Sequence, residues 1–525
     1  MKRFLAFLGV LALAGASLAA SLPAGAPPGA VLALYTRNLA IKKAFFVDFQ
    51  AELVRQKLTW NDLLALLGGQ GADNAQATAE LKRILPLYSL DAIGQEGLFA
   101  VYPDGSLLAL ARPSAAAKDR VLGALKKTLG KTRPFHGWRA KNLSRPEEDY
   151  QVLAGYRDGT LMLYGHMGKN PGIAAGFFTA GGKKGLKFPL EGDLSFLADF
   201  EPLFPLADQL GRSPAKGGRG GIPPRFLAML KTFRHYAFAL SLDKDGVRSR
   251  YRFAFNPKAD PKLAGLFLKP CRPWPLADLP RGISATSLCF PLADLGAYLT
   301  ELGAAFGQKD FELDLSAFGD RVALVSFAPK TQPGAAPTAQ NPLGDLLVFL
   351  EAKDDLTAET TLLSWLQLLA ASSTPQGKGG FAVERYRVGD YRGKKITVGL
   401  GGAVYLFDLG DRLALATSER AAQGLAGPRL ASDPLFRKYA AGYPSDAHSL
   451  SYGDLGGTFR GLAESLLTTT PLAVSQTTSP KEAMALLQRI AGYLEYVAGK
   501  LGAEVGHTRV EGSALVGESF SEVRW

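Results

Sequence analysis

The sequence predicts an α+β protein made of two similar lobes, each a mainly antiparallel sheet packed with amphipathic helices. Three observations support this prediction. The chain has 525 residues, which is enough for two or three domains. Apolar residues make up 47% and charged residues 21% of it, which is typical of folded soluble proteins and excludes a disordered or collagen-like chain. Strand and helix signals also recur in the same order in both halves, which indicates an internal duplication.

The first 20 residues have the organisation of a secretory signal peptide. Lys2 and Arg3 precede an apolar run over 4–14, and small residues up to Ala20 offer cleavage sites. The apolar run has about 11 residues, whereas a helix that crosses a bilayer needs roughly 20. We therefore expect export to the periplasm, the cell envelope or the extracellular space, with no transmembrane span after the signal peptide is cleaved.

The first lobe is predicted to cover residues 22–257. Its opening strand, over 30–35, follows a Pro-Gly turn. A hairpin is expected where Pro103-Asp104-Gly105 separates two apolar runs, because such a tripeptide is a strong turn signal. The other predicted elements are an amphipathic helix from Leu39 to Leu53, a helix over 115–129, strands over 150–156, 160–164 and 194–200, a helix over 225–235 and a hairpin over 236–255.

The second lobe is predicted over 278–522, after a proline-rich joint at 258–277. One face of its first helix is marked by apolar residues three and four positions apart, which are Leu292, Leu295, Leu299, Leu302 and Phe306. Ser479 and Glu482 form a capping box that starts the last helix. The other predicted elements are strands over 283–290, 322–325, 346–350, 382–388, 394–400, 403–408, 412–417 and 450–455, a helix over 357–369, and a final hairpin with strands over 501–504 and 507–516.

Cys271 and Cys289 are the two cysteines of the chain. Disulfides persist in exported proteins, and the prolines and Gly282 between the two cysteines allow the segment to turn back on itself. A bridge across this loop would stabilise the fold by roughly 3 kcal/mol. We predict a Cys271–Cys289 disulfide, with two buried free thiols as the alternative.

The charge balance favours anionic partners. The 60 Lys and Arg residues outnumber the 48 Asp and Glu residues, which leaves a net charge of +12. Such an excess favours contact with lipid headgroups or acidic wall polymers. Nucleic-acid-binding proteins concentrate their charge, whereas the densest basic groups here are short, at 133–141 and 183–187, and are predicted to be solvated loops. The expected partner is therefore an envelope protein, an anionic polymer or a lipid, and not a nucleic acid.

No motif in the chain marks a catalytic or ligand-binding site. The five His residues, at 136, 166, 235, 448 and 507, are scattered, and no two of them have the helical spacing of metal ligands. Residues 243–246 resemble the start of a calcium loop without its last acidic ligand, and they are predicted to be a hairpin turn. We predict no catalytic, cofactor-binding or metal-binding residue and no cofactor, although carboxylates that converge from distant segments stay open.

A family resemblance accompanies this organisation. Leu22-Pro23-Ala24-Gly25 precedes an apolar strand, the lobes are paired, and the segment from Gly410 to Ser418 precedes a helix. In these features the chain resembles the exported bacterial family called domain of unknown function 3352. The resemblance extends over most of the mature chain as a pattern of strands and turns. It implies an envelope-associated protein and brings no functional residue with it.

The sequence therefore predicts an exported, non-enzymatic, envelope-associated protein that binds a partner protein, a wall polymer or a lipid. Two alternatives stay open. One is a secreted hydrolase with a site built from dispersed residues, and the other is a structural or assembly protein. A cleft of converging carboxylates or histidines with perturbed pKa values would favour the hydrolase.

Overall fold

The structure of this protein is a computed structural model. It describes residues 25–27, 29–37, 51–58, 96–113, 118–144, 150–167, 186–212, 223–307, 312–328, 345–372, 381–398, 402–469 and 480–524. The predicted signal peptide, most of the helix predicted from Leu39 to Leu53, and Lys183 and Lys184 of the second basic group lie outside these ranges.

Antiparallel strands dominate the described residues. They are β1 (Gly25–Ala26), β2 (Leu32–Arg37), β3 (Glu96–Val101), β4 (Leu107–Arg112), β5 (Arg133–Phe135), β6 (Trp138–Asn142), β7 (Tyr150–Arg157), β8 (Thr160–Met167), β9 (Leu186–Lys187), β10 (Leu194–Asp199), β11 (Phe233–Asp243), β12 (Gly246–Phe255), β13 (Ser284–Cys289), β14 (Phe318–Phe327), β15 (Asp345–Ala352), β16 (Phe381–Val388), β17 (Tyr391–Val398), β18 (Gly402–Asp408), β19 (Arg412–Ala416), β20 (Ser449–Asp454), β21 (Leu501–Glu511) and β22 (Ala514–Val523).

Helices alternate with the strand groups along the chain. They are α1 (Lys118–Leu129), α2 (Phe204–Arg212), α3 (Pro224–Thr232), α4 (Pro261–Leu268), α5 (Leu292–Ala305), α6 (Asp355–Ser372), α7 (Glu419–Leu425), α8 (Pro434–Ala440), α9 (Leu455–Thr469) and α10 (Pro480–Lys500). The helix predicted from the spacing of Leu292 to Phe306 is confirmed as α5. Helix α4 lies inside the range predicted as a proline-rich joint, and its Pro261 occupies the first turn, where proline fits a helix.

The prediction of two lobes with separate sheets is wrong. Twenty of the strands belong to one antiparallel sheet, while β1 and β9 form a second, two-stranded sheet. Side-chain alternation shows which residues of a strand are buried, but it does not show which strands lie at a sheet edge. Pairing between strands uses backbone N–H and C=O groups, which every residue except proline carries, so the extent of the sheet is not written in the side-chain pattern.

Two compact units can be distinguished in the chain. The first is formed by the described residues within Met1–Ala51, Thr59–Ile222 and Phe233–Phe255, and the second by those within Glu52–Leu58, Pro223–Thr232 and Asn256–Trp525. The strand order in the first is β12-β11-β10-β2-β3-β4-β8-β7-β6-β5. In the second it is β22-β21-β20-β13-β14-β15-β19-β18-β17-β16.

Each unit has its own hydrophobic core. In the first unit, Leu98, Leu108 and Tyr164 from neighbouring strands pack with Val121 and Leu125 of α1. In the second unit, a cluster around Phe349 and Phe407 packs with α7, and another cluster packs with α6. Alternating apolar residues in the strands and the apolar stripes of the helices supply these cores, as their periodicities require.

Two predicted local structures are corrected. Residues 133–141 are not a loop but the β5–β6 hairpin, in which His136 and Gly137 both have positive φ angles of 45° and 83°. Positive φ at both central residues fits the twist of a two-residue hairpin turn. The last hairpin does not turn after Glu504, because β21 continues to Glu511 and the turn falls at Gly512, where φ is 61°.

Candidate functional site

The five histidines do not meet in one place. His136 is exposed at the β5–β6 turn, and His166 is buried with its ring 5.3 Å from that of Tyr164. Burial lowers the pKa of His235, His448 and His507, the first on β11, the second just before β20 and the third on β21. Among the described residues no three His, Cys, Asp or Glu side chains are grouped so that they could hold a metal ion.

The two cysteines form a disulfide in the structure, with their Cα atoms 5.6 Å apart. Cys271 lies in the segment after α4, and Cys289 is the last residue of β13. The bond therefore links the connecting segment to the sheet of the second unit. Its role is structural, since it touches no cluster of polar or charged residues that could act on a ligand.

The strongest concentration of unbalanced charge lies in the segment from α1 to β8. Over 118–144 and 150–167 there are only two acidic residues, Asp119 and Asp158, against nine basic ones. The basic residues are Lys118, Arg120, Lys126, Lys127, Lys131, Arg133, Arg139, Lys141 and Arg157. The intervening residues 145–149, outside the described ranges, add one arginine and three acids, so the whole segment keeps a net charge of +5.

The register of the strands brings part of this charge together around Tyr156. Lys126 of α1 places its Nζ 5.5 Å from the centroid of the Tyr156 ring. Arg139 of β6 is the direct partner of Tyr156 across the β6–β7 ladder, and directly paired residues project to the same side of a sheet. Lys141, two residues along β6, projects to that side as well. We call Lys126, Arg139, Lys141 and Tyr156 the basic face.

The cations of the basic face are exposed and carry no compensating carboxylate. Among the residues that the structure describes, Lys126, Arg139 and Lys141 have no acidic partner. Asp158, one of the two acids of the segment, contacts its neighbour Arg157 at 3.3 Å. Lys126 also lies in the last turn of α1, where a cation complements the helix dipole. The helix dipole gives no such reason for Arg139 and Lys141, which lie on a strand.

The geometry suits an extended anion better than a small one. Residues two apart on a strand are about 7 Å from each other, so Arg139 and Lys141 do not converge on one atom. Lys126 approaches from the helix beside them. All three side chains are long and solvated, and they can follow a chain of negative groups without a fixed pocket. Nothing in this arrangement supplies a nucleophile or a general base.

A signal for this face was present in the sequence and was misread. Residues 138–141 alternate between buried and exposed positions, with Trp138 and Ala140 inside and Arg139 and Lys141 outside. This period of two is typical of a half-buried strand. The run is short, and the basic residues around it were attributed to a solvated loop. The placement of Lys126 over Tyr156 has no sequence signal, because the two are 30 positions apart.

Comparisons with known proteins add little. No family model matches the chain, and no curated protein matches it. Solved structures that resemble part of it include crystal forms of TP0453. Crystal form I is 9% identical with a TM-score of 0.21, over 45% of this chain and 80% of that chain. Crystal form III is 8% identical with a TM-score of 0.22, over 49% of this chain and 89% of that chain. Similarity at this level carries no functional argument.

The structure also bears on the membrane question. No helix within the described ranges is both long enough and apolar enough to pass through a bilayer.

Proposed function

We propose that this protein is an exported, non-enzymatic, envelope-associated protein that binds an anionic polymer through the basic face. Export rests on the signal peptide predicted at residues 1–20. The observation that supports polymer binding is the surplus of nine basic over two acidic residues across 118–144 and 150–167, with three exposed cations arranged around Tyr156. The polymer would carry phosphate or carboxylate groups, as acidic wall polymers do.

An extended polymer explains the layout of the charges better than a compact ligand. A site for one small anion needs donors that converge and are partly desolvated, whereas these cations are exposed and separated along a strand and a helix. Their interaction with a polyanion adds up over several weak contacts and is reduced by salt. The binding should therefore depend steeply on ionic strength.

The test is binding of labelled soluble polyanions to the full chain, followed by fluorescence anisotropy. Polyphosphate and polygalacturonate serve as the phosphate and carboxylate probes. We expect the double variant Arg139→Gln/Lys141→Gln to bind either polymer on the order of tenfold more weakly than the wild type, which corresponds to about 1.4 kcal/mol. Raising the salt concentration should weaken the wild type more than the variant.

The matched control removes the same amount of charge elsewhere. Lys244 lies in the turn between β11 and β12, Lys258 follows β12, and both are exposed. The variant Lys244→Gln/Lys258→Gln should bind like the wild type. Equal binding by the wild type and the Arg139/Lys141 variant would contradict the proposal. So would clearly tighter binding of single-stranded DNA of the same length and charge, which would point to a nucleic-acid function.

A further inference from the structure

The hairpin formed by β16 and β17 places like charges opposite each other. Arg387 is paired with Arg392, and Arg385 with Lys394, in the antiparallel ladder. Both pairs project to the same side of the hairpin, since Arg385 and Arg387 are two positions apart. Like charges in directly opposed positions destabilise a sheet. The fold therefore keeps four cations where its own stability would favour other residues.

Only part of this charge is neutralised within the protein. Lys394 forms an ion pair with Glu359 of α6. Arg387 donates to the Gly389 carbonyl at 3.0 Å and lies 4.0 Å from the carboxylate of the exposed Asp390. Arg385 and Arg392 are exposed and contact no acidic group among the residues described. Over 381–398 five basic residues stand against two acidic ones.

Exposed apolar side chains lie beside these cations. Val383 projects to the same side of β16 as Arg385 and is 45% exposed. Leu356, in the first turn of α6, is 76% exposed. It lies one turn before Glu359, which contacts Lys394 of the hairpin. We call Leu356, Val383, Arg385, Arg387 and Arg392 the hairpin patch.

We propose that the hairpin patch docks onto the surface of an anionic lipid bilayer. The arginines would contact lipid phosphates, and the two apolar side chains would enter the region between the headgroups. Binding of this kind combines buried apolar area with attraction to anionic lipids. An anionic surface would also relieve the repulsion between the paired cations.

The apolar residues favour a bilayer over a free phosphate or a soluble polyanion. A dissolved anion would gain nothing from an exposed leucine and an exposed valine, whereas a bilayer offers an apolar layer just below its charged surface. A charged strand can also serve to keep a sheet edge from pairing with other chains. That role requires the charges of β16 but neither Leu356 nor Val383, so apolar variants separate the two explanations.

The experiment is sedimentation of the full chain with lipid vesicles. One set contains phosphatidylglycerol and phosphatidylcholine in equal parts, and the other contains phosphatidylcholine alone. We expect binding to the first set and little to the second. Each cation beside an anionic leaflet contributes about a factor of five, so Arg385→Gln/Arg387→Gln should weaken binding roughly 25-fold. Arg385→Lys/Arg387→Lys, which keeps the charge, should bind within about threefold of the wild type.

The apolar half of the proposal has its own variant. Leu356→Ser/Val383→Ser should weaken vesicle binding by roughly tenfold or more, because both side chains lose their transfer into the headgroup region. The matched control is Leu206→Ser/Leu462→Ser, which replaces exposed leucines of α2 and α9 and should bind like the wild type. All four positions are exposed, so the variants are expected to fold, and thermal unfolding checks this.

Several outcomes would overturn the proposal. They are equal binding of the wild type to both vesicle sets, unchanged binding of the Leu356/Val383 variant, and complete release from vesicles by millimolar inorganic phosphate. The proposal is also independent of the basic face. Arg139→Gln/Lys141→Gln should keep the dependence on Leu356 and Val383, and failure of vesicle binding would leave binding of soluble polymers untouched.

Discussion

At the scale of single residues, the most constrained polar group described is Asp260. Its side chain is fully buried. It accepts a hydrogen bond from the Leu263 N–H at 3.1 Å, which caps α4, and another from the Tyr298 hydroxyl at 3.1 Å. The Arg225 guanidinium lies 3.7 Å from the carboxylate and stacks 4.9 Å above the Tyr298 ring. Burial, together with the Asp260 charge, raises the pKa of Tyr298 to about 12. One carboxylate thus joins α3, α4 and α5.

Replacing Asp260 by alanine should destabilise the protein strongly. The change removes a helix cap and leaves the Tyr298 hydroxyl and the Arg225 guanidinium without their buried acceptor. We expect Asp260→Ala to lower the free energy of unfolding by about 3 kcal/mol. Urea denaturation measures it. The control is Asp294→Ala, which breaks the exposed pair with Lys269 and should cost less than about 1 kcal/mol. Equal effects of the two variants would contradict this account.

At the scale of elements, the Cys271–Cys289 disulfide ties the segment after α4 to the end of β13. The two residues are 18 positions apart, and the bond closes a loop that contains the short turn Leu276–Asp278. Around this loop, Trp274 is buried between the guanidinium groups of Arg321 and Arg412, at 5.1 and 4.6 Å from its ring. The loop is therefore held both covalently and by packing.

Removing the disulfide should destabilise the protein without unfolding it. Cross-linking a loop of this length restricts the unfolded chain and is worth roughly 3 kcal/mol. We expect Cys271→Ser/Cys289→Ser to lower the free energy of unfolding by about that amount in urea. Adding a reductant to the wild type should have the same effect, and adding it to the variant should have none. Two reactive thiols in the oxidised, denatured wild type would show that the bond does not form.

At the scale of the whole molecule, three histidines make stability depend on pH in one direction. Burial lowers the pKa of His448, and burial with nearby arginines lowers those of His235 and His507, the latter partly offset by Glu518. The unfolded chain, where histidine has a pKa of about 6.5, therefore binds protons before the folded chain does. Their contribution to stability is complete above about pH 6.5 and is lost as pH falls toward the lowered pKa values.

A single variant tests the sign of this effect. We expect the free energy of unfolding of the wild type to fall between about pH 7.5 and pH 5 more steeply than that of His448→Gln. The difference in slope is at most one proton, about 1.4 kcal/mol per pH unit. Burial raises the pKa of Glu504 and acts in the opposite direction, but this contribution is common to both proteins and cancels in the comparison. Parallel curves would mean that His448 does not titrate differently on folding.

The sequence by itself determined many of the local elements of this protein. The three-and-four spacing of Leu292 to Phe306 predicted α5, and Pro103-Asp104-Gly105 predicted the turn between β3 and β4. Both succeed because side-chain periodicity and turn residues act over a few positions. The basic residues of 133–141 were also visible, but their conformation was not, since two strands of three and five residues contain too few repeats to distinguish a hairpin from a loop.

The tertiary structure alone decided the extent of the sheet and both proposed surfaces. A single sheet replaced the predicted pair of lobes because backbone hydrogen bonds carry no residue identity that a sequence pattern could record. The cation of Lys126 reaches Tyr156, and Arg385 faces Lys394, only through packing and strand register. Such contacts join positions that are distant along the chain, and local periodicity acts over a single helix or strand, so it holds no information about them.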